Sequence, residues 1–250
     1  GRREGAKPDP HAYTVSMVTR AKVEDKPQPI RLTSPLWITY AAHAVLRSDN
    51  DNVLSGDWPG ALAAQLNTSV LPGAIGDASP VASGDSGAKK VENFFHSFSQ
   101  TWVSAFAAQK PAWKPGQAFS FVRQPVKLGD AKANPEFARA NKIPEPLAET
   151  LVKRFAPAEA EITAFRVGKL AVVGVPGEPT SHLGAAISAA GKKLGFSPVL
   201  VVSHVNGWAG YMLDAKDYAK GGYEATLSFY GPEGGPKVVT AATEALRRLR

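Results

Sequence analysis

A run of apolar residues rich in valine, Leu170-Ala-Val-Val-Gly-Val175, stops at Pro176-Gly177 and delivers a lone carboxylate, Glu178. β-Branched residues favour strands, and a run apolar on both faces belongs inside a sheet. The end of such a strand is a rigid place to mount a charge. Pro179 and Thr180 come next, and then Ser181-His-Leu-Gly-Ala-Ala-Ile reads as a helix start. Strand, sharp turn, carboxylate and helix is how α/β proteins set a reactive group at a carboxyl edge. Two later segments, Gly207-Trp-Ala-Gly-Tyr211 and the region of Tyr223, carry further polar aromatics.

The rest of the chain alternates in the same manner. Strands are expected at 13–19, 36–46, 69–75, 119–128 and 197–203, and a hairpin with a two-residue turn at Gly168-Lys169. In 36–46 the run Leu36-Trp-Ile-Thr-Tyr-Ala-Ala-His43-Ala-Val-Leu is apolar on both faces. Helices are expected from Asp57, capped by that residue with Pro59 in its first turn, and over 91–110. In the second, Phe94, Phe95, Phe98, Trp102, Val103, Phe106 and Ala107 fall at helical spacing. Another spans 181–194, closed by Gly195, and a last one spans 237–250. Short surface helices fit 130–158, and loops fit 1–12 and 81–90. The pattern predicts an α/β fold, a mixed β-sheet flanked by helices, over residues 1–250 as a single domain.

Composition narrows the function. The 250 residues are 44% hydrophobic, enough for a sizeable core. The absence of cysteine excludes disulfides, thiolate metal sites and cysteine nucleophiles. The net charge of +7 comes from scattered Lys and Arg, and the one dense group, Arg247-Arg248-Leu249-Arg250, ends a helix where cations suit the dipole. No Walker loop or GxGxxG is present, so nucleotide binding has no support, and the scattering of the basic residues leaves nucleic acid outside the expected partners. No apolar run reaches 18 residues. The start, Gly1-Arg-Arg-Glu-Gly, has no initiating Met and no signal-peptide pattern, as in a processed chain or a piece of a longer protein.

Five histidines bound the metal chemistry. His11 lies in a polar, Pro-rich segment, and His96 belongs to a helix surface or core edge. His43, Glu178 and either His182 or His204 have the donor chemistry of a zinc site, although no HExxH or HxH pair fixes the spacing. For a lone histidine such as His43 or His204, a buried, hydrogen-bonded imidazole is the more ordinary reading. Ser79, in Gly76-Asp-Ala-Ser-Pro80, comes after a strand and suits a nucleophile or a substrate hydrogen-bond donor. A simple Asp-capped turn explains the same residues.

Taken in order, His43 in Tyr-Ala-Ala-His-Ala-Val, Ser55-Gly-Asp-Trp-Pro-Gly, Gly76-Asp-Ala-Ser-Pro, Val175-Pro-Gly-Glu and Gly210-Tyr with the later Gly222-Tyr-Glu resemble the neutral/alkaline, non-lysosomal ceramidase family. They match the C-terminal part of its catalytic domain. The resemblance implies zinc-dependent hydrolysis of the amide bond of ceramide, or of a related N-acyl lipid, to a fatty acid and an amine. It also implies roles. His43, Glu178 and Tyr211 become zinc ligands, Tyr223 a second active-site tyrosine, and Ser79 a nucleophile or a binder of the substrate's hydroxyl. The family's His-x-His-x-Gly motif does not occur in this sequence. The resemblance therefore expects another zinc ligand and a catalytic histidine from an N-terminal segment or second chain. It favours a secreted or periplasmic protein with a lipid-like substrate and leaves room for a peripheral contact with a membrane surface. A related hydrolase of another N-acyl compound or ester, or a binding domain that kept the fold, are the other readings.

Overall fold

The computed structural model describes residues 7, 12–15, 18–23, 26–31, 36–108, 117–157 and 159–250, with backbone alone at 18–23, 26–31, 103 and 105–108. His11, most of the loop expected over 1–12, and the side chains of Val103, Phe106 and Ala107 lie outside that description. The chain forms two compact units. One comprises Pro10–Leu71 and Ser79–Lys114; the other comprises Gly1–Asp9, Pro72–Ala78 and Pro115–Arg250.

The first unit holds β1 (Tyr13–Val15), β2 (Val18–Val23), β3 (Lys26–Arg31), β4 (Trp37–Tyr40), α1 (Asp57–Leu66), all but the last residue of β5 (Ser69–Pro72), and α2 (Gly87–Ala108). A three-stranded sheet runs β1-β4-β5, with β1 antiparallel to β4, and β2 and β3 form a separate antiparallel pair. Trp58 and Leu62 of α1 bury against Ala42, Leu46 and Phe94. The Trp58 ring meets Phe94 at 5.2 Å and Tyr40 edge-on at 5.7 Å. Aromatic pairs of this geometry add about 0.5–1.5 kcal/mol each beyond the area they bury.

Two expectations are corrected in this unit. The strand expected over 36–46 ends at Tyr40. His43 lies in the loop beyond it, half-buried, and its carbonyl accepts the Trp58 indole N–H at 2.8 Å. Asp57 is the first residue of α1 rather than its cap. Its Oδ1 accepts from the Trp58 N–H at 2.7 Å and its Oδ2 from the Arg47 N–H at 2.7 Å.

The second unit holds β6 (Phe119–Val126), α3 (Pro135–Ala140), α4 (Glu145–Phe155), β7 (Ala160–Val167), β8 (Leu170–Gly174), β9 (Glu178–Pro179), α5 (Ser181–Lys193), β10 (Val199–Val202), β11 (Tyr211–Met212), α6 (Ala215–Ala219), α7 (Tyr223–Thr226) and α8 (Gly234–Arg248). Its main sheet has the order β10-β8-β7-β6. The β6–β7 and β7–β8 pairs are antiparallel, and β8–β10 is parallel. The sheet is mixed, as the alternation predicts. The β7–β8 hairpin turns at Gly168, whose φ of 59° is left-handed.

Ile162 and Ala164 of β7 and Ala171 and Val173 of β8 face one way, and each is fully buried. They form one core with Ile187 of α5 and with Val238, Ala242, Ala245 and Leu246 of α8. The α8 positions recur at helical spacing, so one stripe is apolar while Arg247 and Arg248 sit in the last turn. Among the described residues, no helix is long and apolar enough to cross a membrane.

Candidate active site

The parallel strands β8 and β10 leave their sheet at a common carboxyl edge, and the polar groups gather there. After β8, the chain turns at 175–177 and enters β9. The loop after β10 folds back over that turn: the His204 N–H donates to the Gly177 carbonyl at 3.1 Å, Val205 N–H to Val175 at 3.0 Å and Ala209 N–H to Pro176 at 2.8 Å. Gly177 permits the approach, since a Cβ there would stand 2.6 Å from the Gly210 carbonyl oxygen. The loop then enters β11, which pairs in parallel with β9 and sets Tyr211 opposite Glu178. Residues in register on adjacent strands project to the same face, so carboxylate and phenol share one side of this ribbon.

A second clamp holds β9. The Gly76 N–H donates to the Pro179 carbonyl at 2.9 Å. A Cβ on Gly76 would stand 2.6 Å from the Glu178 carbonyl oxygen, so only glycine fits. Its neighbour Asp77, 2% exposed, accepts the Ser181 backbone N–H at 2.6 Å and the Ser181 hydroxyl at 2.9 Å. Asp77 thus satisfies an orphan donor in the first turn of α5, where a negative charge also suits the helix dipole. The turn chemistry around Asp77 suggests a cap on its own turn; instead it caps a helix 104 residues further along the chain.

Glu178 is 6% exposed. A carboxylate so buried requires polar partners. The Trp208 indole N–H donates to its Oε1 at 2.8 Å, and the His204 Nε2 lies 3.4 Å from the same oxygen. Trp208 is braced edge-on against Phe229 at 5.4 Å. The Tyr223 ring, 61% exposed, stacks edge-on against Tyr211 at 5.8 Å. Carboxylate, phenol and imidazole at one strand edge form a nitrogen and oxygen donor set suited to a divalent cation.

Of the residues singled out from the sequence, Glu178, Tyr211 and Tyr223 gather in this unit. His43 and Ser79 belong to the other unit, His43 half-buried beyond β4 and Ser79 half-buried just after the 76–78 turn. His204 is exposed, and so is His96, which lies on the surface of α2 with its Nε2 3.7 Å from Glu92. The contact of Trp208 with Glu178 is not legible in the sequence. Its only signal is a tryptophan in a short loop flanked by Gly207 and Gly210, where a polar residue would be ordinary.

A second cluster lies beside α6. The His182 Nδ1 is 3.8 Å from Asp214 and 4.0 Å from Asp217, and the three groups are compact enough to hold a metal ion. Local structure accounts for much of it. Asp214 caps α6 by accepting the Asp217 N–H at 2.7 Å, and Lys220 neutralises Asp217 at 2.9 Å.

No family model matches the chain. Among curated proteins it is similar to a neutral ceramidase from Pseudomonas aeruginosa, 31% identical over 96 residues, a stretch covering 37% of this chain and 13% of that protein. Among solved structures it is similar to a neutral ceramidase from Pseudomonas aeruginosa with a TM-score of 0.64 and 18% identity, covering 86% of this chain and 45% of that one. A ceramidase complexed with C2 gives a TM-score of 0.67 at 15% identity, covering 86% of this chain and 46% of that one. The chain therefore spans less than half the length of the solved ceramidases it matches, and at these identities the likeness is one of fold. The resemblance to neutral ceramidases drawn from the motifs holds in both comparisons.

Proposed function

We propose that residues 1–250 form the C-terminal part of a ceramidase-like catalytic domain, and that the whole protein hydrolyses the amide bond of ceramide or a related N-acyl lipid. The observation supporting this most is the Glu178–Tyr211 register pair at the carboxyl edge of β8, in a chain that shares the neutral ceramidase fold over 86% of its length.

In this reading Glu178 and Tyr211 are two ligands of a zinc ion, with further ligation from elsewhere in the whole protein. The donor set fits: zinc accepts imidazole nitrogen and carboxylate oxygen, and the Glu178 headgroup is oriented by the Trp208 indole as ligating carboxylates generally are. When bound, zinc acidifies water to a pKa of about 7 and polarises a carbonyl.

The chain's own side chains divide the remaining work. Trp208 fixes one Glu178 oxygen. Tyr223, exposed beside Tyr211, donates a hydrogen bond to the amide oxygen as negative charge grows on it, a contribution worth about 2.7–4 kcal/mol for a well-placed donor.

The test is hydrolysis by the purified whole protein of a ceramide and a panel of other N-acyl amines and esters, with bound metal measured alongside. The expected result is fatty-acid release from an N-acyl substrate that stops on chelation and returns with zinc. Full turnover by zinc-free protein would remove the metal from the account, and no cleavage of any N-acyl substrate would remove the enzyme.

A further inference from the structure

The β10-β8-β7-β6 sheet buries one face and leaves part of the other open. Val122 and Val126 of β6 and Ile162 and Ala164 of β7 join the core shared with α5 and α8. Side chains alternate along a strand, so the residues between them face the other way. On a sheet solvated on one side those outward positions are ordinarily polar. Here β6 carries Phe119 and Phe121, 66% and 53% exposed, and its register sets them opposite Val167 and Phe165. We propose that this face of β6 and β7 docks the protein on a bilayer surface that carries anionic lipid headgroups. The proposal rests on the lipid-like substrate proposed above, which such a surface would hold.

Charge selects the partner. Arg123 of β6 and Lys127 just after it are exposed, and so is Lys169 in the β7–β8 turn. That turn lies against the start of β6, where the Gly168 N–H donates to the Ala118 carbonyl at 2.9 Å. Arg248 of α8 reaches the same strand, its Nη1 donating to Gln124 Oε1 at 2.8 Å and to the Arg123 carbonyl at 3.2 Å. Glu161, opposite Pro125, is taken up by Arg123 at 2.7 Å. Phenyl rings with cations around them suit an anionic membrane: the rings enter the acyl boundary while Lys and Arg stay among the headgroups. A covering layer of protein would instead have to bury those cations with little counter-charge, which is costly. A second copy would bring an identical positive rim against this one. Among the described strands β6 is at the end of the sheet, and Arg248 already occupies one of the carbonyls that an added strand would need.

The same face continues toward the candidate site. Glu161 and Thr163 alternate with the buried positions of β7, as Phe165 does, and so share its side of the sheet. The Asn206 Nδ2 donates to Thr163 Oγ1 at 2.6 Å and to Glu161 Oε1 at 3.3 Å, which lays the loop after β10 across this end of the face. That loop also carries Trp208, an exposed ring whose N–H reaches Glu178. Tryptophan is a residue of membrane–water interfaces, apolar in its body and polar at its edge. A bilayer held by Phe119 and Phe121 is therefore on the side of the sheet that bears the loop bonded to Glu178.

The experiment sediments the whole protein with phosphatidylcholine vesicles, with and without phosphatidylserine, at low and high salt. The expected result is binding that requires phosphatidylserine and weakens as salt rises. Phe119→Ser combined with Phe121→Ser should lower the vesicle partition coefficient about 10-fold or more, with an unchanged circular dichroism spectrum. No binding by the parent, or equal binding by the double variant, overturns the proposal. Residues 1–250 contain no cysteine, so Phe121→Cys can carry an environment-sensitive dye, read against the parent's own labelling. A blue shift in its emission when vesicles are added supports docking through this face. A cysteine that does not label, or a dye already shielded before vesicles are added, shows that protein covers the face and overturns the proposal. Hydrolysis is read separately. Vesicle binding by a protein that cleaves no N-acyl compound supports the docking face and removes the proposed enzyme; cleavage without vesicle binding does the reverse.

Discussion

Glu178 illustrates how little of a site one residue determines alone. Its position after a valine-rich strand is legible, because Pro-Gly ends the strand and the next side chain lands at the edge of the sheet. Its partners are not legible. Tyr211 lies 33 positions later, and nothing in that spacing brings the two together; the β9–β11 register does. The proposed role predicts that Glu178→Ala in the whole protein lowers kcat/KM by about 100-fold or more, since a lost ligand should exceed the 10–100-fold typical of a ligand's supporting partner. Turnover near the parent's would make Glu178 structural. Trp208 belongs to that supporting class. Trp208→Phe keeps a ring against Phe229 but removes the N–H to Glu178. The expected outcome is an activity loss of about 10-fold with little change in melting temperature. An equal loss in Glu178→Ala and Trp208→Phe would contradict the division of roles.

At the scale of elements, legibility depends on period and punctuation. The β7–β8 hairpin is readable because Gly168 marks its turn, and α5 because Gly195 stops it at a φ of 95°. The strand expected over 36–46 is too long, because alanines extend an apolar pattern without the bulk that holds a strand. Strands of two residues, such as β9 and β11, have no period to read. They form because the turns around them are clamped. Gly76 is the clearest test of such a clamp. Gly76→Ala places a methyl 2.6 Å from the Glu178 carbonyl and 2.9 Å from Pro179, against backbone that cannot swing aside. The expected cost is about 1–3 kcal/mol of stability, measured by denaturant unfolding, with activity lost beyond what instability explains. A neutral substitution would show that β9 shifts freely.

Across the whole molecule, the unit built on the β10-β8-β7-β6 sheet closes where α8 and the 227–231 segment meet the core. Tyr230 is buried there and donates its hydroxyl to the Pro157 carbonyl. Burial pushes its pKa up to about 12. An unfolded tyrosine releases its proton near pH 10, so between about 10 and 12 the folded state holds a proton that the unfolded state has lost. The stability from keeping the phenol neutral is complete below about pH 10 and disappears as pH rises through 12. Unfolding free energy should fall across that window, and Tyr230→Phe should flatten the fall. An unchanged slope would place the alkaline sensitivity elsewhere. The proposed function requires the fold to bring a carboxylate and a phenol together around a metal. A crystal structure of the whole protein grown with zinc, with anomalous scattering recorded at the zinc edge, decides whether it does. An anomalous peak is expected within bonding distance of Glu178 and Tyr211. A peak confined to His182, Asp214 and Asp217, with none at Glu178, would contradict it.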